Sequence, residues 1–99
     1  NPISEKINFS GISAHQDANF TEIKSALQSA LKTGFDIKIE TKTATHPSFE
    51  EGHCASVIVD NNSIGMIGKV NSKIIENYKI RVPVVGFEIS LSESILKSL

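Results

Sequence analysis

Residues 46–71, HPSFEEGHCASVIVDNNSIGMIGKVN, hold the pattern on which the fold turns. Residues 54–59 form a near-continuous apolar run, Asp60-Asn61-Asn62 is a turn triplet, and residues 63–70 are a second apolar run, so together they predict a β-hairpin. Two glycines, Gly65 and Gly68, fall inside its second strand. Glycine weakens a strand unless another backbone or side chain must pass close by, so both are expected to be packing glycines. The same stretch gathers several residue types that could carry chemistry: His46 before Pro47, the Glu50-Glu51 pair, and His53 beside the lone Cys54.

A thiolate next to an imidazole would make a nucleophile pair. Neighbouring residues of a strand point to opposite faces, however, so His53 and Cys54 do not meet, and Cys54 reads as a small buried hydrophobe. A hydrolase built on Cys54 would need His15 or His46 brought to the sulfur. His15, His46, His53 and Cys54 have the donor atoms for zinc but lack the paired spacing of structural zinc sites. Glu50-Glu51 reads as a solvated polar loop rather than a general acid and base. Phosphate-cradling glycines belong to a loop that opens a helix, whereas those of SIGMIGKV lie on a predicted strand. Arg81 is the only arginine, so the planar clamps that chemistry on ATP or an aminoacyl phosphate normally uses are missing. No catalytic, cofactor-binding or metal-ligating residue is assigned.

Upstream, Ile7, Phe9 and Gly11 alternate with Asn8, Ser10 and Ile12 as a short strand, which the polar stretch 13–19 is expected to end. Asp17 or Asn19 can cap a helix in which Phe20, Ile23, Leu27, Ala30 and Leu31 recur at helical spacing, with Gly34 placed for a left-handed C-terminal cap. Phe35, Ile37 and Ile39 then alternate with Asp36, Lys38 and Glu40, the signature of a strand, and residues 41–45 are expected to fade into a loop. Downstream, Asn71 can cap a short helix through Tyr78, with Ile74, Ile75 and Tyr78 inward. Val82-Pro83 leads into a strand over residues 84–89, and Ser92 can cap a terminal helix holding Ile95, Leu96 and Leu99. The order β-α-β-β-β-α-β-α predicts an α+β domain, a largely antiparallel sheet flanked by helices.

Ninety-nine residues suit one domain with a single modest core. With Lys plus Arg at 10 and Asp plus Glu at 11, there is no broad basic field for nucleic acid or anionic lipid. No apolar run approaches the roughly 20 residues of a membrane span, one cysteine makes no internal disulfide, and residues 1–4 do not begin a secretory leader. A reducing cytoplasm is the expected compartment. Met66 is the only methionine, so residues 1–99 are expected to be a single-domain piece of a longer chain.

The stretch from His46 through Ile80, followed by VPVVGFEISL, resembles the beta chain of phenylalanyl-tRNA synthetase, in the later half of its class II-like core domain. The family pattern is a His-Pro, a Gly followed by basic and small residues before a strand, a turn, an Ile-Gly-x-x-Gly strand, a short helix, and a strand ending Phe-Glu-Ile or Phe-Glu-Leu. Here these are His46-Pro47, Gly52 to Ala55, Ile64-Gly65 with Gly68, residues 74–78, and Phe87-Glu88-Ile89. ANFTEIKSALQSALKTGF, residues 18–35, also looks like the family's helix. The likeness covers roughly residues 8–91, and it is the order and spacing of elements that make it specific. The chain departs where the family often has Arg at His53, Glu at Lys69, and His-Pro at Asn71-Ser72, positions expected in turns or at a helix start.

The resemblance implies a class II synthetase-like fold and a division of labour. An alpha chain carries the active site that activates phenylalanine with ATP, with magnesium expected in the holoenzyme, and charges tRNA. The beta core lacks working catalytic motifs and supports an alpha-beta heterotetramer. On this reading His46, Pro47, Gly52, Gly65, Gly68, Phe87 and Glu88 are structural, while Ile95, Leu96 and Leu99 form a candidate interface. The alternative is a free-standing α+β interaction or ligand-binding module unrelated to translation.

Overall fold

The computed structural model describes residues 6–92. Seven elements follow in order: β1 (Lys6–Ala14), α1 (Phe20–Phe35), β2 (Glu40–Thr43), β3 (Phe49–Val59), β4 (Asn62–Val70), α2 (Ser72–Asn77) and β5 (Val84–Ser92). The strands form one antiparallel sheet in the order β1-β5-β4-β3-β2. The α+β class and the central hairpin are as expected. The terminal helix expected to carry Ile95, Leu96 and Leu99 lies outside the described residues, and Ser92, read as its cap, is the last residue of β5, opposite Lys6.

The hairpin turns in two residues. Asp60 and Asn61 both have positive φ, 50° and 66°, the backbone of a type I′ turn, whose twist matches that of the strands it joins; Asp and Asn tolerate it best after glycine. Asn62 is already the first residue of β4, and its side-chain Nδ2 donates to Asp60 O at 3.1 Å. The register then slips by one: Val57 faces Gly65 but Ile58 faces Ser63, so Ile64 is the extra residue of a bulge and joins the core.

That core lies on one face of the sheet. Val85, Ile89 and Leu91 of β5, Ile67 of β4 and Ala55 and Val57 of β3 meet Ile23, Leu27 and Leu31 of α1, with Phe9, Phe20, Phe35 and Phe87 packed around them. α1 begins where Asn19 Oδ1 accepts the Glu22 N–H at 2.9 Å, an N-cap that satisfies one of the helix's free donors. Its other end differs from expectation. Gly34 is inside the helix, and Asp36 takes the left-handed cap at φ 54°, its N–H donating to Lys32 O at 3.0 Å. Ala30, expected in the core, is exposed.

Three strand limits also move. Ser13 and Ala14 continue β1 because Val85 and Val84 lie opposite them. Ile37 and Ile39 are buried as their alternation predicts, yet residues 36–39 are not strand, whereas Glu40–Thr43, placed in a loop, are β2. Alternation reports burial, but a ladder needs a partner: β3 ends at Val59, and Ile58 is already opposite Glu40. β3 itself starts at Phe49, because Phe49 finds Val70 across the ladder, and so takes in Glu50, Glu51 and His53. His53 and Lys69 therefore sit in strands rather than turns. α2 is capped by Asn71 as predicted, its Oδ1 accepting the Lys73 N–H at 2.8 Å. Tyr78, expected inward, is exposed, since the chain leaves the helix there. No helix among the described residues is long and apolar enough to cross a membrane.

Gly34 tests the reassigned cap. It is helical, and a Cβ there would meet nothing within 4 Å. Gly34→Ala should therefore stabilise the fold by about 0.5–1 kcal/mol in urea denaturation; were Gly34 the left-handed cap, the same change would destabilise it.

Candidate functional site

The face of the sheet away from α1 is only partly covered, and the turn at residues 46–49 folds over it. Phe49 N–H donates to His46 O at 3.0 Å, and the Ser48 N–H donates to His46 Nδ1 at the same distance, which leaves the proton of the neutral ring on Nε2. The rings of His46 and Phe49 are 5.6 Å apart. The turn is tied to the start of α2, because Asn71 N–H donates to Ser48 O at 2.8 Å and Ser72 N–H donates to Glu50 Oε1 at 2.8 Å. The bond from Ser72 holds the Glu50 carboxyl below its ordinary value, with smaller help from Lys69 and His53.

Between this turn and strands β1, β5 and β4 lies a groove of about 720 Å³. Alternation lines it with the residues that point away from α1: Asn8 and Ser10 of β1, Glu88 and Ser90 of β5, and Met66 of β4, with His46, Ser48 and Phe49 as a wall. Ser90 Oγ–H donates to Asn8 Oδ1 across the ladder. The lining offers hydroxyls, an amide, an imidazole and one carboxylate, with no Lys or Arg. Such a surface accepts hydrogen bonds and favours neutral or cationic groups; it holds nothing that would clamp a phosphate.

Of the residues expected to be structural, His46, Gly65 and Glu88 come together around this groove. Gly68 lies under Phe49: a Cβ at Gly68 would sit 2.8 Å from the ring's Cδ1 and 2.7 Å from His53 O. At Gly65 a Cβ would fall 2.0 Å from Glu88 O and 2.7 Å from Ile89 Cα, so the backbone of β5 occupies the space a side chain needs. Gly52 is exposed at the break in the β3–β4 register with φ 83°, a conformation that favours glycine. Pro47 is within the exposed 46–49 turn, and Phe87 is on the opposite face, its ring over Gly11. Ile95, Leu96 and Leu99 are outside the described residues.

The thiol chemistry has no support in the geometry. Cys54 is buried and His53 exposed, so they lie on opposite faces, and burial pushes the Cys54 thiol up. His15 is engaged elsewhere: its Nε2 is 2.7 Å from Glu22 Oε2, its Nδ1 accepts the Asp17 N–H at 3.2 Å, and Ser13 Oγ donates to Glu22 Oε1 at 2.8 Å. The bond from Ser13 and then that from His15 hold the Glu22 carboxyl low. This network fixes the β1–α1 corner. Glu50, read as a solvated loop acid, proves to hold α2. Among the described residues, no three His, Cys, Asp or Glu side chains gather closely enough to bind a metal ion.

Residues 4–91 match the sequence model described as phenylalanyl tRNA synthetase beta chain CLM domain. The chain is 37% identical over 82 residues, 83% of its length, to the phenylalanine–tRNA ligase beta subunit of Methanococcus aeolicus. It is 40% identical over 78 residues, 79% of its length, to the same subunit of Haloarcula marismortui, and 36% identical over 81 residues, 82% of its length, to that of Methanocaldococcus jannaschii. It spans 15%, 13% and 15% of those relatives, respectively.

Two measurements check the site's construction. Gly65→Val and Gly68→Val should each destabilise the fold by about 1–3 kcal/mol, since backbone and a packed ring must move; a double variant melting like the parent would contradict the close approach. The depressed Glu50 carboxyl contributes stability above its ordinary value of 4.5, and that contribution is lost as pH falls through the lower folded value. Glu50→Gln should therefore lower the melting temperature at neutral pH, and the difference from the parent should vanish as the pH falls below the lowered value of the folded carboxyl.

Proposed function

The chain belongs to the beta-chain CLM-domain family of phenylalanyl-tRNA synthetase, and from that premise we propose that residues 1–99 are the later half of a class II-like core domain within a longer beta subunit. Its role is support: the domain holds a shaped surface for assembly with a catalytic alpha chain. Chemistry on phenylalanine, ATP with magnesium, and tRNA takes place in the cytoplasmic alpha-beta heterotetramer. The observation that carries this reading is the family match across nearly the whole chain. The composition and the groove support it, since the groove has no cation for a triphosphate, Arg81 stands alone and exposed, and Cys54 is buried.

On this reading the glycines and the His46-Pro47 turn act as scaffold. Gly65 and Gly68 let β5 and Phe49 lie close against β4, while Glu50 and Ser48 anchor α2. Ile95, Leu96 and Leu99 are the proposed contact with other parts of the synthetase.

The test is co-expression of the full beta chain with the alpha chain of the same organism. A complex that charges tRNA with phenylalanine is expected, and failure of the beta chain to bind any alpha chain would remove the reading. The 99-residue chain should show no phenylalanine-dependent pyrophosphate exchange; clear turnover would overturn the supporting role. Replacing Ile95, Leu96 and Leu99 by Ser in the full chain should weaken assembly, and normal assembly would take this segment out of the interface.

A further inference from the structure

Glu88 stands on β5, an interior strand, with Ser10 opposite it on β1 and Met66 opposite it on β4. It is the one charged side chain of the groove under the 46–49 turn. Three other carboxylates of the chain hold donors of the chain itself: Glu22 takes Ser13, Asp36 takes Lys32 and Glu50 takes the Ser72 N–H. Among the described residues Glu88 holds none, whether as hydrogen bond or as ion pair. The groove therefore aims an unspent acceptor into about 720 Å³ of space, within the range of small-molecule sites, roughly 300–1,000 Å³.

The surroundings of Glu88 decide which chemistry fits. An anion would meet a carboxylate and no Lys or Arg. A wholly apolar body would strip water from Glu88 and give nothing in return. A metal ion would need further acidic or imidazole ligands, and no group of three gathers among the described residues. An organic cation rich in N–H groups meets none of these objections. Ser90 spends its proton on Asn8 Oδ1, so the Ser90 oxygen is left to accept, and the Ser10 hydroxyl lies directly across the ladder from Glu88. Met66, whose sulfur accepts from Ser56 Oγ at 3.7 Å, and the half-buried Phe49 ring offer the soft, apolar part of the lining. A planar guanidinium suits this set better than an ammonium. It forks two N–H groups onto one carboxylate, is less tightly hydrated, and lies well against an aromatic ring.

We propose that the groove is a binding site for a small organic cation, a guanidinium group on a short apolar stem that carries no carboxylate or phosphate. The head pairs with Glu88 and the hydroxyls of Ser10 and Ser90, and the stem lies between Met66 and Phe49. Such a site adds a ligand to the supporting role without depending on it.

The probe is n-butylguanidinium chloride, titrated into the full beta chain with its methionine methyl groups labelled with carbon-13. The Met66 signal is identified by its loss in Met66→Leu. A saturable shift of that signal is expected with the cation, and none with n-pentanamide or n-pentanoate, its neutral and anionic counterparts. Glu88→Gln should weaken the response roughly 10- to 100-fold, the worth of a charged hydrogen-bonded pair. Should that variant fail to fold, the comparison of cation with amide in the parent still decides. No saturable shift, an equal shift with n-pentanamide, or a folded Glu88→Gln that binds like the parent would each overturn the site. A shift that disappears once the alpha chain is bound would also overturn it, by giving the groove to the partner instead of a free ligand.

Discussion

The backbone of β5 passes so close to Gly65 that no side chain fits between them: Glu88 O stands 2.0 Å from where a Cβ would be. β4 is the middle strand of five, so its fit against β5 on one side and β3 on the other sets the register of the whole sheet. The bulge at Ile64 acts at the same point. It turns Ile64 into the core beside Ile67 and shifts β3 so that Val57, rather than its neighbour, stands opposite Gly65. A side chain at residue 65 would push β5 outward, and with it Ile89 and Leu91, which are almost fully buried against α1.

The same register builds two unlike faces. One is dry and gathers nearly all the large buried side chains. The other alternates small and polar residues under the 46–49 turn, with Glu88 its only full charge among Asn8, Ser10, Ser48 and Ser90. A groove lined without Lys or Arg holds nothing to clamp a phosphate. The parts that hold it together are backbone caps: Asn71, Ser48 and Glu50 secure α2, while Asn19, Glu22 and His15 secure the β1–α1 corner.

Much of this was legible in the sequence where burial alone decides the pattern. The hairpin, the apolar stripe of α1, the Asn71 cap and the need for Gly65 and Gly68 all follow from local composition. What could not be read depended on partners distant in the chain. Residues 36–39 alternate like a strand but have no β3 residue opposite, and Glu50 and Glu51 look like a loop until Phe49 meets Val70. Gly34 seemed the natural helix stop, yet Asp36 takes the left-handed turn and adds a Lys32 ion pair at 2.6 Å. The groove residues were hidden in plain view. Asn8, Ser10 and Ser90 occupy the polar phase of alternating strands, but that they face one another depends on pairing β1 with β5.

The tight turn at Asp60-Asn61 has a kinetic consequence. It brings β3 and β4 together across two residues, a closure with almost no loop entropy, and loops of about that length form hairpins in microseconds. The β1–β5 ladder is its opposite, joining Asn8 to Ser90 across a separation of 82 positions. Contacts of such long range slow folding, so the hairpin is placed to form first and β1 to dock last, onto a template already in register. During synthesis, β1 leaves the ribosome ahead of the other four strands of this sheet and waits longest for its mate.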